Sequence, residues 1–169
     1  MKKAIIAGIL CGVILLNSGV TVKANSLSYR EPSETIPNEI IEYSEIVGHE
    51  FNICPELLQS IAYHESRFNP EAINGDCIGL MQVKASAHAD QLKENGWTAD
   101  DLKSPYINMY IAAEYLAELF EQYEDVGEVL LRYNGARTAL KEYKRSGKLN
   151  QYTENVLTMS AELERKNGK

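Results

Sequence analysis

Glu65, in the run His64-Glu65-Ser66-Arg67-Phe68-Asn69-Pro70, is the residue best placed in this chain for acid–base chemistry. Leu58, Ile61 and Ala62 stand seven, four and three residues before it, so on a helix all four share one side and the three apolar ones form a stripe. A carboxyl at the end of such a stripe loses hydration, which disfavours its ionised form and raises its pKa. That is the condition for a general acid near neutral pH. Alone, a glutamate here would sooner be a solvated residue just past the buried part of the helix. The segments downstream argue otherwise: Gly79-Leu80-Met81-Gln82 adds a glutamine amide, and Tyr133-Asn134-Gly135 adds a phenol and a second amide.

The elements that must position these groups are almost all helical in pattern. Apolar periodicity and Pro55 at a helix start predict helices over roughly 39–50, 55–66, 84–94, 105–123, 127–133, 136–146 and 152–165. No stretch alternates in the manner of a strand, and the one marked loop, 69–81, holds Pro70, Asn74, Gly75 and Gly79. The expected fold is mostly α, a single globular domain over 39–169 with one long active-site loop. The helix over 105–123 carries Ile107, Ile111, Tyr115 and Leu119, with Ala112 and Leu116, at core spacing; Tyr115 suits a cleft wall as well as a core.

Residues 1–24 read as a secretory signal peptide: Lys2 and Lys3, thirteen mostly apolar residues from Ala4 to Leu16, then Val22-Lys23-Ala24 as a small-residue cleavage pattern. Thirteen residues are short for a bilayer span, although an uncleaved signal-anchor stays open. A lipid anchor on Cys11 fits less well, because Leu10 precedes it. Residues 25–38 mix Ser, Glu and Pro without periodicity and read as a flexible lead-in. Cleavage would remove three lysines and no acids, taking the net charge from −7 to −10. So acidic an exported chain excludes nucleic acid as a partner and does not favour adhesion to anionic membranes or wall polymers; no stable membrane insertion is expected after cleavage. Cys54 and Cys77 bracket the Glu65 segment. Paired in an oxidising compartment, they would close a 24-residue loop, counted inclusively, and add on the order of 3 kcal/mol; the alternative is two free thiols.

Taken in order, Glu65-Ser66-x-Phe68-Asn69-Pro70-x-Ala72, Gly79-Leu80-Met81-Gln82, Ala112-x-x-Tyr115-Leu116 and Tyr133-Asn134-Gly135 resemble the successive motifs of the soluble lytic transglycosylase catalytic domain. This is the family-1, goose-type-lysozyme-like branch of the lysozyme superfamily. The resemblance covers about residues 40–160. It implies a lysozyme-like fold that cleaves the β-1,4 bond between N-acetylmuramic acid and N-acetylglucosamine in peptidoglycan, leaving a 1,6-anhydromuramoyl end. Glu65 would act as acid, then as base, with the substrate's N-acetyl group replacing the second carboxylate of most glycosidases. Gln82 would bind sugar N-acetyl or hydroxyl groups, and the Tyr133 hydroxyl would lie near Glu65 or the substrate. Asn134 would order its turn or touch substrate, Ser66 would cap or hold the Glu65 loop, and Tyr115 would line the cleft. The partner so implied is the peptidoglycan glycan strand, met outside the cytoplasm; wall-remodelling, secretion and conjugation partners are not distinguished.

Two departures bear on the reaction. Lys84 stands where goose-type lysozymes carry an aspartate that directs water, which favours the non-hydrolytic route, although Asp76, Asp90 or Asp101 offers an acid from elsewhere. The closing segment 149–156 is similar to the family's Tyr-Val helix but has Lys148, not an acid, just upstream. A goose-type muramidase and a non-catalytic wall-binding or assembly protein remain as rivals. His64-Glu65 also begins the zinc-protease pattern His-Glu-x-x-His, but position 68 is Phe and only His49 and His88 are left as ligands. No metal and no cofactor is expected, and His64 is read as a neighbour that tunes Glu65.

Overall fold

The computed structural model describes residues 35–169, so the signal segment and the lead-in as far as residue 34 lie outside the described residues. The helices are α1 (Asn38–Phe51), α2 (Pro55–Ser66), α3 (Ala89–Glu94), α4 (Pro105–Gln122), α5 (Val126–Tyr133), α6 (Arg137–Ser146) and α7 (Gln151–Lys166). Two 3-10 turns, Ala85–His88 and Asp100–Lys103, lead into α3 and α4. The mostly-α expectation holds, and the helix bounds agree within one residue except for the helix expected over 84–94: residue 84 is in a strand, 85–88 form a 3-10 turn, and the α-helix begins at Ala89.

The central element is α2. Pro55 supplies a pre-set φ at its first turn, and Leu57, Leu58, Ile61 and Ala62 are at most 1% exposed. It packs against α1 on one side and α7 on the other, while α4 packs against α1 and α5. The helix stops at Ser66, one residue after Glu65, because Arg67 and Phe68 both adopt left-handed backbone, with φ of 56° and 62°. Two successive non-glycine residues in that region swing the chain sharply away, and the buried Phe68 ring anchors the turn in the core.

The stretch read as one loop, 69–81, holds two strands of a small antiparallel sheet whose third strand follows it, in place of the start of the helix expected from 84. Its strands are β1 (Ile73–Asn74), β2 (Cys77–Ile78) and β3 (Val83–Lys84), with Asn74 opposite Cys77 and Cys77 opposite Lys84. Strands of two residues are too short for an alternation to show in the sequence.

The expected Cys54–Cys77 bridge is not formed; neither cysteine stands in a disulfide. Cys54 caps the N-terminus of α2, whereas Cys77 stands on β2 beside the helix's other end, next to Glu65. Twelve helical residues separate those ends by about 18 Å, several times the reach of a disulfide. The Cys54 thiol instead donates to Glu56 Oε2 at 2.9 Å.

Candidate active site

Glu65 occupies the last turn of α2 and opens onto a cleft of about 1280 Å³ between the small sheet, α3, α4 and the α5–α6 corner. Its side chain is half-buried. Burial raises its pKa above the ordinary carboxyl value, and hydrogen bonding to Tyr152 and Asn134 opposes part of that rise without reversing it. Tyr152, on the first turn of α7, donates its hydroxyl hydrogen to Glu65 Oε1 at 2.6 Å. Burial, then the charge of Glu65, holds the Tyr152 hydroxyl well above its usual pKa, so it stays a neutral donor.

Gln82, Tyr115, Tyr133 and Asn134 line the same cleft as Glu65. Tyr133 is near Glu65, whose charge helps to keep its hydroxyl protonated after the larger effect of burial. That hydroxyl, however, donates to the Met81 carbonyl at 2.8 Å, and the phenol bonded to Glu65 is Tyr152. Gln82 has a left-handed φ of 50°, and its Nε2 donates to the carbonyls of Gly79 at 3.0 Å and Ala72 at 3.2 Å. Its nitrogen is therefore used to close the loop. Ser66 lies beneath the cleft: its hydroxyl donates to Leu80 O at 2.7 Å and to Ala62 O at 3.2 Å, tying the Gly79–Gln82 turn to α2.

Asn108, fully buried on α4, holds that turn from the other side. Its Oδ1 accepts from Met81 N at 2.7 Å, while Nδ2 donates to Ile78 O at 2.8 Å and Leu102 O at 2.7 Å. Gly79, at φ +80°, fits only because it lacks a Cβ; one built there would stand 2.3 Å from both Asn108 Nδ2 and Leu102 O.

Tyr152 and Asn108 were not named from sequence. The signal for Tyr152 was the similarity of 149–156 to a Tyr-Val helix. For Asn108 it was a polar residue four before Ala112 and eight before Leu116, on their apolar stripe. Of the alternative acids, Asp76 accepts hydrogen bonds from the Ser86 backbone and hydroxyl and Asp101 from Thr98, whereas Asp90 lines the cleft. His64 is half-buried. Its own burial, helped by the Arg67 charge, lowers its pKa to about 4, so it is neutral and adds no positive charge beside Glu65.

The family model of the transglycosylase SLT domain matches residues 42–155, about two thirds of the chain. Over 118 residues the chain is 33% identical to X polypeptide of Escherichia coli, covering 64% of this chain and 69% of that protein. It is 29% identical over 150 residues to membrane-bound lytic murein transglycosylase E of Buchnera aphidicola, covering 79% of this chain and 66% of that one. It is also 38% identical over 82 residues to endo-type membrane-bound lytic murein transglycosylase A of Salmonella paratyphi B, covering 45% and 40%. The chain thus spans between 40% and 69% of these three relatives' own lengths. Among the described residues, no helix is long and apolar enough to cross a membrane.

Proposed function

Since the chain belongs to the transglycosylase SLT family, we propose that it is a peptidoglycan lytic transglycosylase in which Glu65 serves first as acid and then as base. The observation that carries this reading is a half-buried carboxyl with a raised pKa, opening onto a glycan-sized cleft and bonded through one oxygen to a phenol. Tyr152 fills Oε1 with a hydrogen bond, so the carboxyl proton belongs on Oε2, free to pass to the bridging oxygen between the two sugars.

The C1–O bond then breaks, and the leaving sugar departs with the proton. The substrate's N-acetyl carbonyl takes up the positive charge at C1. Ionised Glu65, stabilised by the Tyr152 hydroxyl and the Asn134 amide, next removes the proton from the muramoyl C6 hydroxyl as its oxygen attacks C1. This closes the 1,6-anhydro ring and returns Glu65 to its protonated form.

Gln82 presents its side-chain oxygen as an acceptor for a sugar N–H or O–H, and Tyr115 and Tyr133 offer ring faces and edges as cleft wall. Asn134, exposed at the end of α5, contacts both the carboxyl and the substrate. Ser66 keeps the Gln82 turn on α2. The domain would act on glycan strands outside the cytoplasm, delivered there by the signal segment 1–24 through the lead-in to the domain at 39–169.

The test is mass spectrometry of purified peptidoglycan digested with the mature protein and with Glu65→Gln. Anhydromuropeptides, lighter than the hydrated products by one water, are expected from the first and absent from the second. Hydrated products would overturn the non-hydrolytic route in favour of a muramidase, and no products from either protein would favour a wall-binding role.

A further inference from the structure

The cleft holds a second ordered set of polar side chains that the acid–base chemistry does not use. Gln91 on α3 donates its side-chain Nε2 to Glu114 Oε2 on α4, and its Oε1 lies 2.8 Å from Nδ1 of His88, at the end of the first 3-10 turn. The chemistry of one partner fixes the others. A carboxylate only accepts, so Gln91 turns its NH2 to Glu114 and its carbonyl oxygen to His88; a carbonyl only accepts, so His88 Nδ1 carries a hydrogen. In the neutral ring, Nε2 is then an acceptor with a free lone pair.

Nε2 makes no hydrogen bond among the described residues, and the half-buried ring lines the cleft that Glu65 opens onto. The imidazole is held edge-on against Tyr115, with centroids 5.2 Å apart and planes at 72°. Tyr115 in turn lies 6.0 Å from Tyr133, the ring nearer Glu65. The three rings form one wall, with His88 at the end farther from the acid. A ring already fixed in rotamer and tautomer loses little freedom when a ligand bonds to it.

We propose that His88, braced by Gln91 and Glu114, is a glycan-binding residue at a subsite away from the scissile bond, its Nε2 accepting a hydrogen bond from a sugar hydroxyl or N-acetyl N–H. The proposal rests on the glycan-cleaving reading above. It assigns a binding role to a residue outside the acid–base set, and the brace explains why three polar side chains from three elements converge on one edge of the cleft.

The experiment is calorimetric titration of the N-acetylglucosamine hexamer into the chain carrying Glu65→Gln, where cleavage does not intervene. Adding His88→Ala should weaken binding about tenfold, the value of one good hydrogen bond. His88→Gln, which keeps an acceptor, should restore part of the loss. Gln91→Leu, which keeps the imidazole but releases it, should weaken binding by a smaller factor, about threefold. In the Glu65→Gln chain, the 15N resonance of His88 Nε2 should move on adding hexamer. Affinities within twofold for His88→Ala and its parent, with the resonance unmoved, would overturn the subsite while leaving the cleavage reading intact. If the hexamer fails to bind even the Glu65→Gln parent, the glycan-cleft reading fails and takes the subsite with it.

Discussion

Tyr152 and Glu65 are 87 residues apart in the chain, yet their side chains meet in a 2.6 Å hydrogen bond that joins the first turn of α7 to the last turn of α2. The phenol stabilises the carboxylate, so it opposes the effect of burial on the Glu65 pKa. Removing it in Tyr152→Phe lets that pKa rise further. Activity that needs protonated Glu65 falls as pH climbs through its pKa, so the alkaline limb of the pH–rate profile should move to higher pH. The same variant should lower kcat by about tenfold or more, since the carboxylate loses the contact that orients it in the base step. A profile superimposable on the parent's would show that the bond has no part in the reaction.

Glu65 also costs the fold stability. A carboxyl whose folded pKa lies above its unfolded value contributes stability that is fully present below the unfolded pKa and is lost as pH rises through the folded one. Glutamine has no such penalty. Glu65→Gln should therefore melt at nearly the parent's temperature at pH 4 and a few degrees above it at pH 8, as activity is exchanged for stability. Scanning calorimetry across that range measures the difference, which must grow with pH.

On the α4 side, the turn that carries Gln82 is held by one amide. Asn108→Asp keeps the acceptor for Met81 N but replaces the donor to Ile78 O and Leu102 O with oxygen, so two buried carbonyls lose their partner. About 3 kcal/mol of destabilisation is expected. Gly79→Ala should be comparably severe, since its Cβ meets the same amide and the same carbonyl from a positive φ. Urea unfolding of both variants tests this, and a loss under 1 kcal/mol in either would show that the turn relaxes freely.

How far the sequence was legible follows from the range over which each signal acts. The placement of Glu65 was legible because Pro55 and the Leu58–Ile61–Ala62 stripe are local, and a helix turns that spacing directly into a shared face. Glu65, Gln82, Tyr115, Tyr133 and Asn134 were assembled through ordered motifs and do meet in one cleft. The bond from Tyr152 was not foreseen, because nothing local says which of ten tyrosines reaches a carboxyl on another helix. Asn108 left a readable trace as a polar residue among core positions, but its three backbone partners are set by tertiary contact alone.

The cysteines illustrate the same limit from the other side. Sequence proximity suggested a bridge, while an intervening straight helix holds the thiols at opposite ends. Adding reductant should leave the melting temperature of the purified protein unchanged. Iodoacetamide should modify half-buried Cys77 before buried Cys54, and slowly, because burial and then the charges of Asp76 and Glu65 push the Cys77 thiol up. A melting temperature that drops on reduction would restore the disulfide.

Glu56, on the first turn of α2, has no solvent exposure, yet it is charged. Burial pushes its carboxyl up, but hydrogen bonds from Cys54, Lys169 and Asn167 outweigh that and hold its pKa at about 2. Asn167 Nδ2 donates to Oε1 at 2.7 Å, and Lys169 Nζ lies 2.9 Å from the same oxygen, so the residues beyond α7 are fastened to the start of α2. A carboxyl depressed in the folded state contributes stability above its unfolded pKa, and that contribution is lost as pH falls from about 4.5 toward about 2. Asn167→Ala combined with Lys169→Ala strips the buried charge of two partners and should cost about 2 kcal/mol at pH 7, less than for a fully enclosed pair because the lysine is partly in water. The gap between parent and variant should narrow by pH 3, where the parent has itself begun to lose the contribution. Urea midpoints at the two pH values decide it, and a gap that stays constant would mean that the two residues stabilise the fold by packing, not by their bonds to Glu56.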